Sequence, residues 1–242
     1  EASAPQSQSP YEFTRVLGVS STSVLIGGEL RELADERVPH GFVIQFDRTF
    51  KRRWFLESRL VSIQPGARET GQFLFVCADG AILSSASSEI REFDLGKEQP
   101  GTGESGMLWS ADRIGQTVGA VGMSRAVYQR ESSGKWTRLS DEIEVERPEE
   151  SGVGFTSVAS AAPGEMCCVG LRGEVWIRSN ETWKRCDAPT NCDLTCVSVD
   201  PEGNYVIGGT KGILLKGNSD KWQILSDGSG TRAITDIATF DD

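Results

Sequence analysis

The amino-acid sequence predicts an all-β fold made of about five repeated four-stranded units. The first observation behind this is a segment that recurs along the chain with the same spacing of glycines and apolar residues. The second is the composition, because 27 glycines among 242 residues and a hydrophobic fraction of 38% provide both tight turns and a core. The third is alternation of apolar and polar residues within short runs, which is typical of half-buried strands.

The clearest repeat joins two segments in the C-terminal half of the chain. Phe155 to Cys186 aligns without gaps on Leu194 to Leu225, a shift of 39 residues. The same template recurs upstream with small insertions, at Gly119 to Arg130, Phe73 to Leu83 and Phe13 to Gly28. A fixed period of this length indicates a repeat architecture. The shared positions are Thr156/Thr195, Val158/Val197, Gly164/Gly203, Gly170/Gly209, Gly173/Gly212 and Trp183/Trp222.

Each unit is expected to contain four short antiparallel strands separated by glycine-containing turns, with an aromatic residue in the fourth strand. Tandem four-stranded units predict a β-propeller of about five four-stranded blades, because a lone twisted sheet must stack on neighbours to cover its faces. We expect a disordered polar tail over 1–12, a single propeller domain over 13–242 and a short helix within Glu29 to Asp35. The residues expected in the core between blades are Val158, Val175, Val197 and Leu214.

The last residues, Thr231 to Asp242, match the first strand of a further unit. Two interpretations follow. Either Ile234 to Phe240 pairs as a strand with the first repeat and closes a five-bladed ring, or the sequence is a fragment of a six- or seven-bladed propeller. The first interpretation is slightly favoured because closure hides the exposed edges of a sheet.

The repeat resembles those of the BNR and YCF48-like propellers. The pattern V-x5-G-x5-G-x2-G-x-[VIL] is followed by polar turns that look like degenerate Asp boxes, at Ser132 to Trp136, Asn180 to Trp183 and Ser219 to Trp222. The resemblance implies a propeller fold and leaves the function open, because such folds host many activities. The polar residues in these turns are interpreted as capping the turns with their own side chains.

The charge of the chain narrows the classes of partner. A net charge of -10 and a pI of about 4.8 argue against nucleic acid and anionic membranes. The basic cluster of Arg48, Lys51, Arg52 and Arg53, with Arg59 beyond, is interpreted as a solvated outer strand and turn around Trp54. The partner that we expect is therefore a basic protein.

The candidate partner-binding site is an acidic segment between the third and fourth units. Long connections of this kind lie at the rim of a propeller, where partners dock. The alternative is that the segment is only a solvated linker. Its candidate binding residues are Asp141, Glu142, Glu144, Glu146, Glu149 and Glu150.

No catalytic motif is present, and we expect no enzyme activity, cofactor or metal. The single histidine, His40, is interpreted as an ordinary turn residue. The resemblance also includes sialidases, but Tyr11, Tyr128 and Tyr205 do not suggest a tyrosine nucleophile. Three readings stay open for the cluster of Cys186, Cys192 and Cys196: reduced thiols, a Cys186 to Cys192 disulfide if the protein is secreted, or a metal site.

In charge, size and lack of catalytic residues the chain resembles bacterial propellers that act as toxin-immunity proteins. That resemblance implies a monomer that neutralises a basic protein, such as a nuclease-type toxin, in the cytoplasm. The alternatives are an extracytoplasmic assembly or adhesion module, favoured by the Asn180-Glu181-Thr182 sequon and by removal of a signal peptide, and a carbohydrate-binding propeller. A glycosidase is the least favoured function.

Overall fold

The computed structural model describes residues 9–66, 72–85, 91–94, 107–140, 143 and 153–240; the side chains of 49–51 and 91–94 are not described. Within these ranges twenty strands form five four-stranded sheets, each in simple sequence order, and they are joined by one short helix and two 3₁₀ turns. The chain divides into two compact units, Glu1–Glu92 and Phe93–Asp242. The prediction of an all-β chain with five four-stranded units is confirmed.

The first unit holds the first sheet and most of the second. The helix α1 (Arg31–Asp35) lies inside the segment predicted to be helical, between the second and third strands. The last strand of the second sheet crosses the boundary between the units. The first sheet comprises β1 (Tyr11–Ser20), β2 (Ser23–Leu30), β3 (Gly41–Asp47) and β4 (Thr49–Leu56); the second comprises β5 (Leu60–Pro65), β6 (Phe73–Cys77), β7 (Ala81–Ser84) and β8 (Arg91–Asp94).

The second unit holds three sheets. The third comprises β9 (Leu108–Ile114), β10 (Thr117–Gly122), β11 (Val127–Arg130) and β12 (Trp136–Arg138). The fourth comprises β13 (Phe155–Ala159), β14 (Met166–Gly170), β15 (Val175–Ser179) and β16 (Thr182–Cys186). The fifth comprises β17 (Leu194–Val199), β18 (Tyr205–Gly209), β19 (Ile213–Gly217) and β20 (Trp222–Asp227). The 3₁₀ turns follow β14 and β18, at Leu171–Gly173 and Thr210–Gly212.

Apolar clusters fill the spaces between consecutive sheets of each unit. Leu25 and Val43 of the first sheet pack with Leu60 and Phe75 of the second. In the second unit one cluster joins the third and fourth sheets and another joins the fourth and fifth. The fourth sheet is therefore buried on both faces: Ile177 contributes to the cluster with the fifth sheet, and Trp176 packs on the cluster with the third.

The first strand of every sheet contains a β-bulge at the same place. The register of each first strand shifts after an apolar residue, which we call the anchor, and the bulge residue follows it. In four sheets the anchor pairs with a glycine at the end of the second strand, and in the second sheet with Cys77. The anchors are Phe13, Leu60, Leu108, Phe155 and Leu194, and the bulge residues are Thr14, Val61, Trp109, Thr156 and Thr195.

The structure corrects two predictions. Leu214 is only partly buried, whereas Val158, Val175 and Val197 are in the core as predicted. The reason is that Leu214 pairs with Gly208 on the face of the fifth sheet that points away from the fourth, while Ile213 and Leu215 point toward it.

The second correction concerns the C-terminal segment. Residues 231–240 form no strand, so the pairing predicted for Ile234 to Phe240 is wrong. Instead, the Ile234 N–H donates to the Gly209 carbonyl over 3.0 Å, and the Ile234 carbonyl accepts from the Thr195 hydroxyl. In the same way the Thr156 hydroxyl donates to the carbonyl of the next anchor, Leu194. The Ile234 carbonyl therefore accepts the same hydrogen bond from the fifth sheet that the anchor Leu194 accepts from the fourth, although Ile234 is not part of a strand.

Candidate protein-binding surfaces

The predicted acidic site lies outside the described residues. Asp141, Glu142, Glu144, Glu146, Glu149 and Glu150 all fall in the ranges whose placement is not described, so their role stays a prediction. Ile143 between them is described: it is 6% exposed and belongs to the core cluster of the third and fourth sheets. Its N–H donates to the Ser140 carbonyl over 3.0 Å, which fixes one point of this connection against the core.

His40 has a structural role in the connection that follows α1. Its Nε2 accepts a hydrogen bond of 2.7 Å from the Leu30 N–H, so Nδ1 carries the proton and donates to the Val38 carbonyl, also over 2.7 Å. The two ring nitrogens therefore bind backbone groups on either side of α1, at the end of β2 and in the connection that leads to β3. The interpretation of His40 as a turn residue agrees with this geometry.

Tyr205 and Glu165 form the most strongly perturbed polar pair of the fourth and fifth sheets. The Tyr205 hydroxyl donates to the Glu165 carboxylate and accepts from the Ala161 N–H over 3.3 Å. Burial, followed by the nearby Cys167 and the Glu165 carboxylate, raises the pKa of the Tyr205 hydroxyl far above its usual range. These contacts link β18 of the fifth sheet to the connection between β13 and β14 of the fourth.

The six cysteines carry thiols rather than disulfides. Burial raises the pKa of Cys167 and Cys168 well above the usual value, and it also raises the pKa of Cys186 and Cys196. Thiols with raised pKa values are poor nucleophiles and poor metal ligands. In the part of the chain that the structure describes, no group of three His, Cys, Asp or Glu side chains is placed to hold a metal ion.

A buried ion pair joins the third and fourth sheets. Arg125 donates through Nε to Glu174 over 2.9 Å and through Nη2 to the other carboxylate oxygen, and its guanidinium lies 5.9 Å from the Trp176 ring centroid. The two charged side chains are only 3% and 4% exposed. The pair therefore links the connection between β10 and β11 to the residue before β15 across the interior of the second unit.

An open cleft of about 270 Å³ lies at one end of the fourth sheet. Arg185, which lines the cleft, forms an ion pair with the buried Glu174: the Arg185 Nη2 atom lies 4.0 Å from the Glu174 Oε1 atom. The Arg172 N–H donates to Asp193 over 2.8 Å and so holds the left-handed turn that forms one wall. Two guanidinium groups against the carboxylate of Asp187 make the cleft polar and weakly cationic. It is lined by Arg172, Gly173, Arg185, Cys186, Asp187, Ala188, Thr190 and Asn191.

The first sheet carries exposed apolar side chains on the face opposite to its core cluster. Pairing places Phe13, Gly28, Phe42 and Phe55 in one row across the four strands. Phe13 is 55% exposed and Phe55 73% exposed. We call this surface the open face; its described residues include Tyr11, Phe13, Val16, Ile26, Phe42, Ile44, Phe46, Arg53 and Phe55.

Sequence reasoning missed both the open face and the cleft. The signal for the open face was the uninterrupted apolar run of Trp54, Phe55 and Leu56, since a strand with only one buried face alternates. The cleft had no sequence signal, because Arg172 and Arg185 come together only through the pairing of β15 with β16. The basic cluster around Trp54 is as predicted where it is described: Arg48, Arg52, Arg53 and Arg59 are all exposed.

Within the described ranges, no helix is both long enough and apolar enough to span a bilayer. No family model matches the chain.

Comparison of the sequence with characterised proteins finds similarity to the immune protein Tsi7 of Pseudomonas aeruginosa. The identity is 26% over 219 residues, which cover 87% of this chain and 70% of Tsi7. Comparison of the structure finds similarity to YCF48 from Cyanidioschyzon merolae, with a TM-score of 0.60 and 13% identity over 96% of this chain and 77% of the other. The likeness to YCF48 confirms the predicted propeller fold, and the chain is thus a propeller of several four-stranded sheets with sequence similarity to an immunity protein.

Proposed function

We propose that this chain is an immunity protein that neutralises a protein toxin by binding it, without catalysing a reaction. The observation that carries the proposal is the similarity to Tsi7, which extends over most of both chains rather than over one repeat. His40 and Tyr205, the two residues weighed as candidates for catalysis that the structure describes in hydrogen bonds, are both engaged in contacts within the fold.

The finer properties of the partner are part of the same proposal. A net charge of -10 favours a positively charged partner, because opposite charges accelerate encounter at long range. Nuclease-type toxins fit this requirement, since an enzyme that acts on nucleic acid needs a basic surface. We further propose that the chain acts in the cytoplasm, where its buried thiols would remain reduced.

A neutralisation experiment tests the proposal. The genes adjacent to that of this chain are expressed one at a time from an inducible promoter, with or without the chain, to find a toxin among their products, and survival and complex formation are measured. We expect survival only with the chain, and a stable complex on size-exclusion chromatography. A catalytically inactive toxin supplies the complex for biophysics. If the chain neither restores growth nor binds the toxin, the proposed function is wrong.

A further inference from the structure

We propose that the cleft at one end of the fourth sheet binds a carboxylate group that the protein partner presents, an inference that rests on the proposed function. The cleft has a volume of about 270 Å³ and is lined by residues of β16, of the 3₁₀ turn that follows β14 and of the connection that follows β16. Three features lead to this conclusion: the placement of Arg185, the rigidity of the walls and the charge of the lining.

Arg185 keeps its hydrogen-bond donors available to a ligand. The buried Glu174 already accepts two hydrogen bonds from Arg125, and Arg185 approaches the same carboxylate only to 4.0 Å. The Arg185 side chain is 49% exposed, and its guanidinium makes no hydrogen bond to any residue that the structure describes. The charge of Glu174 therefore holds this guanidinium beside the cleft, with its planar donors ready for a bidentate contact with a second carboxylate.

The corresponding positions of the fifth unit are apolar. The 39-residue shift matches Glu174 with Ile213 and Arg185 with Ile224. Ile213 is 1% exposed and belongs to the core cluster of the fourth and fifth sheets. Replacing a buried ion pair by apolar side chains is often neutral or stabilising, so the repeat itself does not require a charge at Glu174. The charge that the fourth unit carries there places a guanidinium at the cleft, which packing alone would not do.

The walls of the cleft are held by backbone contacts. The Arg172 N–H donates to the Asp193 carboxylate over 2.8 Å, and the Thr190 N–H donates to the Ala188 carbonyl, also over 2.8 Å. Gly173 has a left-handed conformation, and a Cβ atom on it would lie 2.1 Å from the Thr190 carbonyl oxygen. The turn that carries Arg172 therefore lies directly against the connection between β16 and β17. A cleft that is already formed loses little entropy when it binds a ligand.

The charge of the lining suits a single carboxylate. Arg172 and Arg185 carry two positive charges and Asp187 one negative charge, so the lining side chains leave one positive charge uncompensated. One carboxylate matches this charge, whereas a polyanion such as a nucleic acid is repelled by the net charge of -10 on the chain. A partner protein with a net positive charge still carries individual aspartate and glutamate side chains. Such a side chain is the ligand that this cleft fits.

The cleft does not lie on a face to which further sheets would be added. Sheets of a propeller stack face to face. Both faces of the fourth sheet are already covered within the second unit, one by the third sheet and the other by the fifth. The cleft opens at the end of the fourth sheet, where β15 begins and β16 ends. Access of a reagent to Arg185 in the full chain is therefore the first quantity to measure.

Chemical modification measures access to the cleft and its protection by the partner. Phenylglyoxal reacts with accessible arginine side chains, and peptide mass spectrometry identifies each modified residue. We expect Arg185 to react in the free full chain and to be protected in the complex with the inactive toxin. Arg125, whose side chain is 3% exposed, is the internal control and should react in neither state.

A pair of charge-matched variants measures the contribution of the cleft to binding. R172Q/R185Q removes both guanidinium groups from the cleft, and K184Q/K221Q removes two exposed lysines from β16 and from the turn before β20. Each variant makes the chain more acidic by two charges, which by itself favours a basic partner. A loss of affinity in R172Q/R185Q alone therefore requires a specific contact at the cleft.

Binding of the inactive toxin is measured by biolayer interferometry, after circular dichroism and thermal unfolding have established that the variants are folded. We expect Kd to rise at least about 30-fold for R172Q/R185Q and to stay within about threefold of wild type for K184Q/K221Q. R185K keeps the charge but loses the planar fork of donors, so its Kd should fall between these values. If R172Q/R185Q does not fold, R185K and the protection of Arg185 decide.

The other outcomes overturn the inference in distinguishable ways. If Arg185 does not react in the free chain, the cleft is covered and cannot take a group from a partner. If wild type binds the toxin and R172Q/R185Q binds as tightly as K184Q/K221Q, the partner docks elsewhere while the proposed function stands. If wild type does not bind the toxin, the proposed function fails and this inference fails with it.

Discussion

Asp200 is a buried carboxylate at the turn that joins β17 to β18 in the fifth sheet. It follows β17 and accepts hydrogen bonds from the Asn204 N–H over 2.7 Å and from Lys216 Nζ over 2.6 Å. Burial alone would raise the pKa of this carboxyl, but the bonds from Lys216 and Asn204 outweigh it and lower the pKa from 3.8 to about 2. The charged form therefore stabilises the turn that joins β17 to β18.

A pH series on Asp200→Asn measures that stabilisation. Because the folded pKa is lowered, the contribution is complete above the unfolded value of 3.8 and is lost as the pH falls through about 2. We expect the asparagine variant to unfold more easily than wild type at pH 7, and the difference to shrink between about pH 4 and pH 2. Glu202→Gln is the control, because Glu202 is 66% exposed at the same lysine. If the difference in stability between wild type and Asp200→Asn did not change with pH, the Asp200 carboxylate would not be the source of that stability.

Leu214 and Leu215 are adjacent leucines with different environments. Leu215 is 0% exposed in the cluster between the fourth and fifth sheets, while Leu214 is only partly buried. Leu215→Ala should reduce the free energy of unfolding by about 2–5 kcal/mol. Leu214→Ala should cost less than half as much. Denaturant unfolding of the two variants measures both losses of free energy. Equal losses would contradict the difference in burial between the two faces of β19.

This pair of leucines also shows what the sequence can predict about single residues. The alignment that matches Val175 with Leu214 is correct, since Val169 pairs with Val175 as Gly208 pairs with Leu214. The alignment cannot reveal which face of a sheet has a neighbour. The alternation of apolar and polar residues does not distinguish the two faces either. Ile213, Leu214 and Leu215 are all apolar, so this part of β19 shows no alternation.

At the scale of the element, glycine at the end of the second strand allows the bulged first strand to approach closely. A Cβ atom on Gly28, Gly122, Gly170 or Gly209 would lie 2.1, 2.2, 2.2 or 2.4 Å from a backbone oxygen of the residue before the anchor. The repeat predicts glycine at the end of the second apolar run of a unit but gives no reason for it. The physical cause of these glycines is this contact, which depends on a bulge that a sequence pattern does not display.

Gly170→Ala tests the close approach. The new methyl group would meet the Gly154 carbonyl oxygen, and neither strand can move without breaking its pairing. We expect a loss of about 3 kcal/mol in the free energy of unfolding, at the upper end for overpacking. Gly18→Ala in β1 is the control, since its Cβ would have no neighbour within 4 Å. Equal effects of the two substitutions on the denaturation midpoint would refute the explanation.

At the scale of the whole molecule, the five sheets were predictable because the repeat sets them, whereas the predicted binding site depends on charge and stays a prediction. The expected site was chosen by charge alone, in the connection that holds Asp141 to Glu150. The difference in exposure between Phe13, at 55%, and the other four anchors, at 3% or less, has no signal in the sequence, because all five anchors have the same local pattern. Repeats therefore predict the elements, while function depends on where one repeat departs from the others.

The acidic connection is expected to act on encounter with the partner rather than on the docked complex, and binding kinetics test this. Exposed acidic side chains act mainly on encounter, so replacing Glu144, Glu146, Glu149 and Glu150 together by Gln should lower the on-rate for the inactive toxin several-fold and flatten its salt dependence. The off-rate should change little, because exposed charges contribute little to the docked complex. An on-rate and salt slope that the four substitutions leave unchanged would show that the acidic segment is a solvated linker and that the remaining charge of the chain attracts the partner.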